Sequence, residues 1–286
     1  MLKMLFPNGC RKAVTLSYDD GLYCDERLMQ IMHKNGVKGT FNMGSGTFRK
    51  EGEPVQGMWC RMTIPEAKEL FKQYPEMEVA WHGLTHADIT KLSRNEMMYE
   101  VIADKANLEN EFETIVRGGA YAFGTNNAMA VEVLKEAGIK YCRTCECHGG
   151  FGMPKNWLLL PSTCHHNNPK LMELAEKFVN EQPENAWEPW LFYVWGHTSE
   201  FDRDNNWEVI EKFCECVGGK EDIWYATNIE ICEYVEAFNS LIYSTGSKKM
   251  VYNPTAKEIW LTTKHQFSYS APEKIVSVKP GETVIL

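Results

Sequence analysis

Residues 13–43 read AVTLSYDDGLYCDERLMQIMHKNGVKGTFNM. The first six are a strand-like apolar run that stops at Asp19-Asp20-Gly21, a good turn sequence. Leu28, Ile31 and Met32 then recur on one helical face, and Gly36 ends the helix. Residues 37–43 form a second β-like run, so the stretch is a β-α-β unit. Such a unit pairs its strands in parallel and carries its helix outside the sheet.

The same alternation continues outward. Helices are expected over 65–74, 94–113, 126–137, 171–179, 207–217 and 229–241. Strands are expected over 78–81, 119–123, 139–144, 157–160, 190–195 and 223–226. Pro65 suits a first helical turn, Gly138 a C-terminal cap, and Thr227-Asn228 an N-terminal cap. Alternation of this kind implies a parallel sheet under helices, with apolar strands buried on both faces. About seven units fit before residue 245, which favours an α/β barrel related to the eightfold one. Beyond Ser244 the periodicity changes. Short β-like stretches over 259–262, 275–278 and 283–286 are divided by Asn253-Pro254 and Pro280-Gly281 turns. The expected organisation is one domain over 1–245 and a small β-rich extension over 246–286.

Composition narrows the function classes. The 286 residues hold 30 Lys+Arg against 39 Asp+Glu, a net charge of −9, with 44% hydrophobic residues. The acidic balance argues against a nucleic-acid partner and against polybasic membrane docking. No apolar run approaches the roughly 20 residues that span a bilayer. No signal peptide is visible at the start, so a cytoplasmic location is expected. The ten cysteines read as free thiols in a reducing compartment, with disulfides or metal ligation as the alternatives. Cys142, Cys145, Cys147 and His148 cluster, but no second cysteine pair at zinc-ribbon spacing follows. Cys214, Cys216 and Cys232 fall on helices as small buried hydrophobes.

Asp19-Asp20, His82 and His197 each stand just past the end of an expected strand, the rim where barrels keep their active sites. Two carboxylates ~4 Å apart repel by about 4 kcal/mol at an effective dielectric of ~20. They need a cation or a shared proton, unless they are a solvated turn. His82-Gly-Leu-Thr-His86 is a His-x3-His, which on one helical turn aims both imidazoles at one metal. Gly83 replaces the glutamate base of the zincin motif, so a base must come from elsewhere. Asp19-Asp20 can supply both a base and a third ligand. Two histidines and a carboxylate leave open positions for water. His197 is a candidate acid for a leaving amine, with a structural role as the alternative.

Four stretches extend this pattern: Thr15-Leu-Ser-Tyr-Asp-Asp-Gly21, His82-Gly-Leu-Thr-His86, Ala120-Tyr-Ala-Phe-Gly124 and Trp195-Gly-His197. In this order they are similar to the motifs of the polysaccharide deacetylase family, the NodB-homology or carbohydrate-esterase-4 group. The resemblance covers about residues 13–245 and implies a distorted (β/α) barrel. It implies that Asp19 is the general base and that Asp20, His82 and His86 hold one divalent metal. Zinc fits this ligand set, and so do cobalt, nickel and iron. Metal-bound water would attack an acyl carbonyl on a carbohydrate. Phe123 would supply an oxyanion N–H, Tyr121 and Trp195 would lie by the substrate, and His197 would act as acid. Arg143, His165, His166 and Glu200 are candidate lining residues.

The sequence departs from the family pattern in three places. Ala120 stands where the family's arginine would be, Ala122 where its proline would be, and the fourth motif has no clear match. Arg117 and Arg143 lie nearby, and the sequence assigns neither as a replacement. Trp59, Trp81, Trp157, Trp195 and Trp207 are candidates for sugar stacking or for core packing. Two other functions stay open: hydrolysis of a small amide, ureide or formyl compound, and carbohydrate binding without catalysis.

Overall fold

The computed structural model describes residues 2–183, 188–262 and 274–286. The strands in chain order are β1 (Lys3–Leu5), β2 (Lys12–Asp19), β3 (Gly39–Met43), β4 (Glu78–Trp81), β5 (Gly118–Ala120), β6 (Tyr141–Cys147), β7 (Leu160–Ser162), β8 (Cys164–His165), β9 (Trp190–Gly196), β10 (Ile223–Tyr225), β11 (Ile242–Tyr243), β12 (Met250–Tyr252), β13 (Ile259–Thr262), β14 (Ile275–Val278) and β15 (Thr283–Ile285). The helices are α1 (Asp25–Lys34), α2 (Ile64–Gln73), α3 (Arg94–Phe112), α4 (Ala128–Glu136), α5 (Leu171–Asn180), α6 (Ser199–Asp204), α7 (Glu208–Val217) and α8 (Asn228–Asn239).

The main sheet runs β7-β6-β5-β4-β3-β2-β9-β8, with β10 beside the first half of β2, and its pairings are parallel. Its two end strands, β7 and β8, are consecutive in the chain. Thr163 between them donates its N–H to the Tyr193 carbonyl, while its own carbonyl accepts from Gly149. One bent segment thus touches both edges and closes the sheet into a distorted α/β barrel. The apolar faces of α1 to α5 and α7 pack on its outside in one continuous core with Val14, Leu16 and Tyr18.

Strand period two decides what faces inward. Val14, Leu16 and Tyr18 join the helix-facing core, so Ala13, Thr15, Ser17 and Asp19 line the other face. A one-residue slip would turn Asp19 out of the barrel. The interior is polar rather than apolar, which the sequence reading did not anticipate. Thr15 Oγ1 donates to Asn228 Oδ1, and Asn228 Nδ2 donates to Tyr193 Oη. Glu78 accepts from Tyr141 Oη, Thr40 Oγ1 and the Ile229 N–H, although its burial raises its pKa. These groups tolerate burial because each has a partner.

Some expected boundaries move. Residues 157–159 form a 3-10 turn, with the strand beginning at Leu160, and β6 starts two residues later than expected and reaches Cys147. Gly118 lies under the Tyr141 ring, whose Cε1 would sit 1.8 Å from a Cβ there. Described strands within 246–286 pair with strands outside that range. β1 pairs with β13, and β11 pairs with β12. Their apolar residues share a core with α8 and the barrel floor. All ten cysteines are unpaired. Among the described residues no helix is long and apolar enough to cross a membrane.

Candidate active site

Asp19 ends β2 at the barrel mouth and is almost wholly buried. Asn42 Nδ2 donates to its Oδ1 at 2.8 Å, and the fully buried Arg143 guanidinium donates to its Oδ2. Burial alone would raise the pKa of this carboxyl. Attraction to Arg143, then to His82 and His197, overcomes burial and holds it at about 2. Arg143 also stacks on the Trp195 ring at 4.2 Å. Arg143 is the direct register partner of Ala120 on the neighbouring strand. The guanidinium absent from position 120 therefore enters from one strand over, at the same height. Arg117 pairs with Glu233 instead, away from Asp19.

Asp20, His82 and His86 bring ligand atoms within 4.8 Å of one another. The expected helical turn across 82–86 is not formed. Gly83 has φ of +91° and His86 of +54°, so the loop reverses through left-handed backbone. Both rings still converge, 4.9 Å apart between centroids. The set fits a divalent cation on two counts. His82 Nδ1 lies 2.8 Å from the Ala120 carbonyl, which fixes the proton there and leaves Nε2 as a lone-pair donor. His86 Nε2 and Asp20 Oδ1 stand 3.5 Å apart. Two ligands ~2.1 Å from a tetrahedral zinc are separated by roughly 3.4 Å. Burial, then repulsion from His82, lowers the pKa of His86 and favours the neutral form that can ligate.

His197 follows β9. Its Nε2 lies 3.9 Å from Asp19 Oδ2 and 4.0 Å from Asp20 Oδ2, and its Nδ1 lies 3.6 Å from Glu200 Oε1. Burial opposes the charged ring, but Glu200, then Asp19 and Asp20, win, and its pKa rises. Glu200 gathers further polar neighbours: His165 Nε2 lies at 3.1 Å and His166 Nε2 at 3.0 Å, and Asn167 Nδ2 donates to it at 3.3 Å. Burial would raise its pKa, yet the three histidines hold Glu200 far below the usual carboxylate range. His165, His197 and Glu200 also fall within metal-ligating distance of one another. However, Asn167 donates its backbone N–H to His165 Nδ1, which puts the neutral ring's proton on Nε2, facing Glu200. That chemistry suits a hydrogen-bonded carboxylate rather than a second cation. His166 is fully buried, with ring neighbours Tyr18 and Phe201. A Cβ on Gly196 would lie 2.0 Å from its Nδ1, so only glycine admits this ring.

The remaining sequence candidates divide. Phe123 is exposed at the mouth, 4.6 Å from the His86 ring between centroids, with φ of +59°. Asp20, His86 and Phe123 are all non-glycine residues with positive φ, a concentration of backbone strain typical of functional sites. Tyr121 does not reach the mouth: it is buried in the core and its hydroxyl donates to the Leu158 carbonyl. Trp195 is largely buried and supports Arg143. No cysteine joins a candidate metal cluster among the described residues.

Several positioning groups escaped the sequence reading. Asp104 on α3 accepts the Ser45 N–H, and Glu100 accepts from the Thr85 N–H and hydroxyl. Glu100 braces the loop that carries His82 and His86 directly, and Asp104 holds the neighbouring segment, whose Gly46 N–H donates to the Leu84 carbonyl. Arg61 donates to Asp20 Oδ1 at 2.9 Å. Nothing in a polar helix face or a loop arginine signals such roles before the fold brings them together.

Residues 7–142, a little under half of the chain, match the family model for polysaccharide deacetylase. The resemblance read from the motifs is confirmed. A Mycobacterium smegmatis protein assigned as a polysaccharide deacetylase shares the fold at a TM-score of 0.57. It is 15% identical and is matched over 83% of this chain and 94% of its own. A Streptococcus pyogenes deacetylase in complex with acetate aligns at 0.41, with 19% identity over 46% of this chain and 55% of its own length. A carbohydrate-esterase-4 pseudoenzyme from Bacillus anthracis aligns at 0.49, with 16% identity over 80% of this chain and 68% of its own. Identities this low speak for the fold alone. A search of curated protein sequences finds no match.

Asp25 sits beneath the cluster and accepts from Thr198 Oγ1 at 2.6 Å. Burial lifts its pKa to about 8, against the Thr198 hydrogen bond, with Asp20 and Asp19 adding to the rise. The native state therefore keeps a proton that the unfolded chain loses near pH ~4. Stability from this group is full below that pH and declines as pH rises towards about 8. Asp25→Asn should remove the decline. Thermal melts at pH 4, 6 and 8 should show the variant gaining on wild type already at pH 6 and by more at pH 8.

Proposed function

We propose that this polysaccharide-deacetylase-like chain is a metal-dependent hydrolase that removes acetyl groups from an acylated carbohydrate. The observation that carries the reading is Asp19. It is a buried carboxylate kept ionised by Arg143, 4.0 Å from His82 Nε2 and 3.9 Å from His197 Nε2. A pure binding protein has no use for a base held between a ligand triad and an imidazole. Residues 1–245 form the catalytic unit in this reading, and the ten unpaired thiols support a reducing compartment.

Asp20, His82 and His86 would hold the cation. When bound, it supplies Lewis-acid polarisation of the acyl carbonyl and acidifies water. Asp19 takes a proton from the attacking water at Oδ2. A carboxylate of such low pKa is always ready to accept, although it is a weak base. His197, whose Nδ1 lies 3.6 Å from Glu200 Oε1, delivers the proton at Nε2 to the leaving nitrogen or oxygen. The acyl C–N or C–O bond breaks, and acetate and the free amine or alcohol result. The Phe123 N–H is the candidate donor to the oxyanion.

Metal analysis of tag-free protein should find one divalent cation per chain, absent from Asp20→Ala and His82→Ala. Active protein free of metal would sink the reading. Assays for released acetate, formate and ammonia over a panel of acylated sugars, amides and ureides identify the substrate class. Formate or ammonia release alone would replace carbohydrate deacetylation with the small-amide function.

A further inference from the structure

Of the ten cysteines, Cys145 and Cys147 are the two that are exposed. They stand two residues apart on β6, and strand alternation puts them on the same face as Arg143. Cys142 takes the opposite face and is buried in the helix-facing core. The cysteine cluster over 142–147 therefore sends two thiols to the barrel mouth, in line with the guanidinium that holds Asp19.

Both thiols touch parts of the candidate site. A Cβ on Gly124 would lie 2.5 Å from Cys145 Sγ, so this sulfur packs directly on the turn that presents the Phe123 N–H. Partial burial of the sulfur raises the pKa of Cys145, against attraction to the Arg143 guanidinium beside it. Cys147 Sγ accepts from Trp195 Nε1 at 3.4 Å and lies 3.2 Å from Ser162 Oγ. Trp195 is the ring on which Arg143 stacks. One thiol thus backs the Phe123 turn, and the other backs the support of Arg143. The two are also within bonding reach of each other. Alternate residues of a strand stand about 6.6 Å apart between Cα atoms, and a disulfide spans roughly 4.4–6.8 Å. The pairing of β6 with β7 shifts register between Arg143 and Cys147, so the ladder does not hold this stretch straight.

We propose that Cys145 and Cys147 form a dithiol modification site: a peroxide closes it to a disulfide and switches the active site off, and a reducing thiol reopens it. The inference rests on the deacetylase reading and adds its regulation. One thiolate attacks the O–O bond of the peroxide, giving a sulfenic acid and hydroxide. The second thiolate attacks that sulfur, the S–S bond forms and hydroxide leaves. Two sulfurs are oxidised, one peroxide is reduced, and the two hydroxides take up the thiol protons as water. Closing the bond draws Cys147 Sγ off Trp195 and Cys145 Sγ off the Phe123 turn. Arg143 then loses its backing, and Asp19 its fixed partner. In a reducing compartment the pair stays open and the site stays assembled.

The test treats metal-loaded protein with hydrogen peroxide and quenches with catalase. Rate on acetylated sugars and 4-nitrophenyl acetate, cation content and a peptide mass map are then read before and after dithiothreitol. Wild type should lose at least tenfold in kcat with its cation retained. It should show a 145–147 disulfide in matching proportion and recover with dithiothreitol. Cys145→Ser and Cys147→Ser should each lose the reversible part of the inactivation, and Cys24→Ser should keep it. Each variant is read against its own reduced rate, so general damage to the protein cancels. A 145–147 disulfide that forms without loss of rate would overturn the switch. So would reversible inactivation that survives in both serine variants of the pair. Thiols that peroxide leaves unpaired in the mass map would overturn the site itself. Absence of hydrolysis of every compound by reduced, metal-loaded protein would instead overturn the deacetylase reading, and the mass map would then decide whether the dithiol closes.

Discussion

Asp19→Asn is expected to keep its bound cation and to lose roughly 10²–10⁴ in kcat, the usual worth of a positioned acid or base. The amide has the shape of the carboxylate but cannot take the proton of water. It also cannot satisfy both neighbours, because Asn42 and Arg143 each need an acceptor at one of the two oxygens. The variant should therefore be less stable as well. Breaking a buried ion pair costs about 3–5 kcal/mol. Circular dichroism and metal content must show a folded, loaded protein before the rate is read. The pH profile sharpens the test. The pKa of Asp19 is held at about 2, so its stabilising charge is complete above the ordinary carboxylate range and is lost only as pH falls through about 2. The wild-type rate should then show no acid limb from Asp19 near pH 4. Its alkaline limb should lie above the ordinary imidazole range, because Glu200 and the two aspartates raise the pKa of His197. Wild-type-like turnover in Asp19→Asn would remove it as the base.

Much of this architecture was legible because it depends on short-range pattern. The period-two run of β2 both makes the strand and sends Asp19 into the barrel, so one reading of residues 13–20 places the proposed base. The candidate ligand histidines were legible as a pair, although not the backbone that joins them. A His-x3-His suggests a helical turn, and glycine at position 83 with its φ of +91° permits a different reversal that ends in the same convergence. The Glu200 cluster was visible only as scattered polar residues. It forms because β8 and the turn after β9 meet at the closure of the barrel, over a chain separation that no local pattern records. The polar barrel interior was hidden for a related reason. Threonine and tyrosine count as strand formers in the sequence, and only the closed sheet shows that the hydroxyls of Thr15 and Tyr193 face Asn228. Tyr121 was misplaced because the chain turns straight after β5, which sends its ring into the core and leaves Phe123 outside.

Arg143→Ala is the variant that most directly asks whether an arginine moved by one strand performs the missing residue's task. Without the guanidinium, burial is the largest influence left on Asp19 and pushes its pKa up rather than down. The rate should fall on the order of 10²-fold at pH 6 and recover in part as pH rises and Asp19 regains its charge. That movement of the acid limb separates a tuned base from simple loss of fold, which would lower the rate at every pH alike. Arg143→Lys should lie between, because a lysine keeps the charge but gives up the planar stack on Trp195. The decisive comparison is the exchange Ala120→Arg/Arg143→Ala. Positions 120 and 143 are register partners, and neighbouring strands lie only about 4.8 Å apart, less than the reach of an arginine side chain. The guanidinium should regain Asp19 from the other strand and restore at least tenfold over Arg143→Ala, with the acid limb returned to low pH. If the exchange folds and binds metal but restores nothing, then position 143 matters for more than charge on Asp19, and its contact with Trp195 becomes the part of the site to explain.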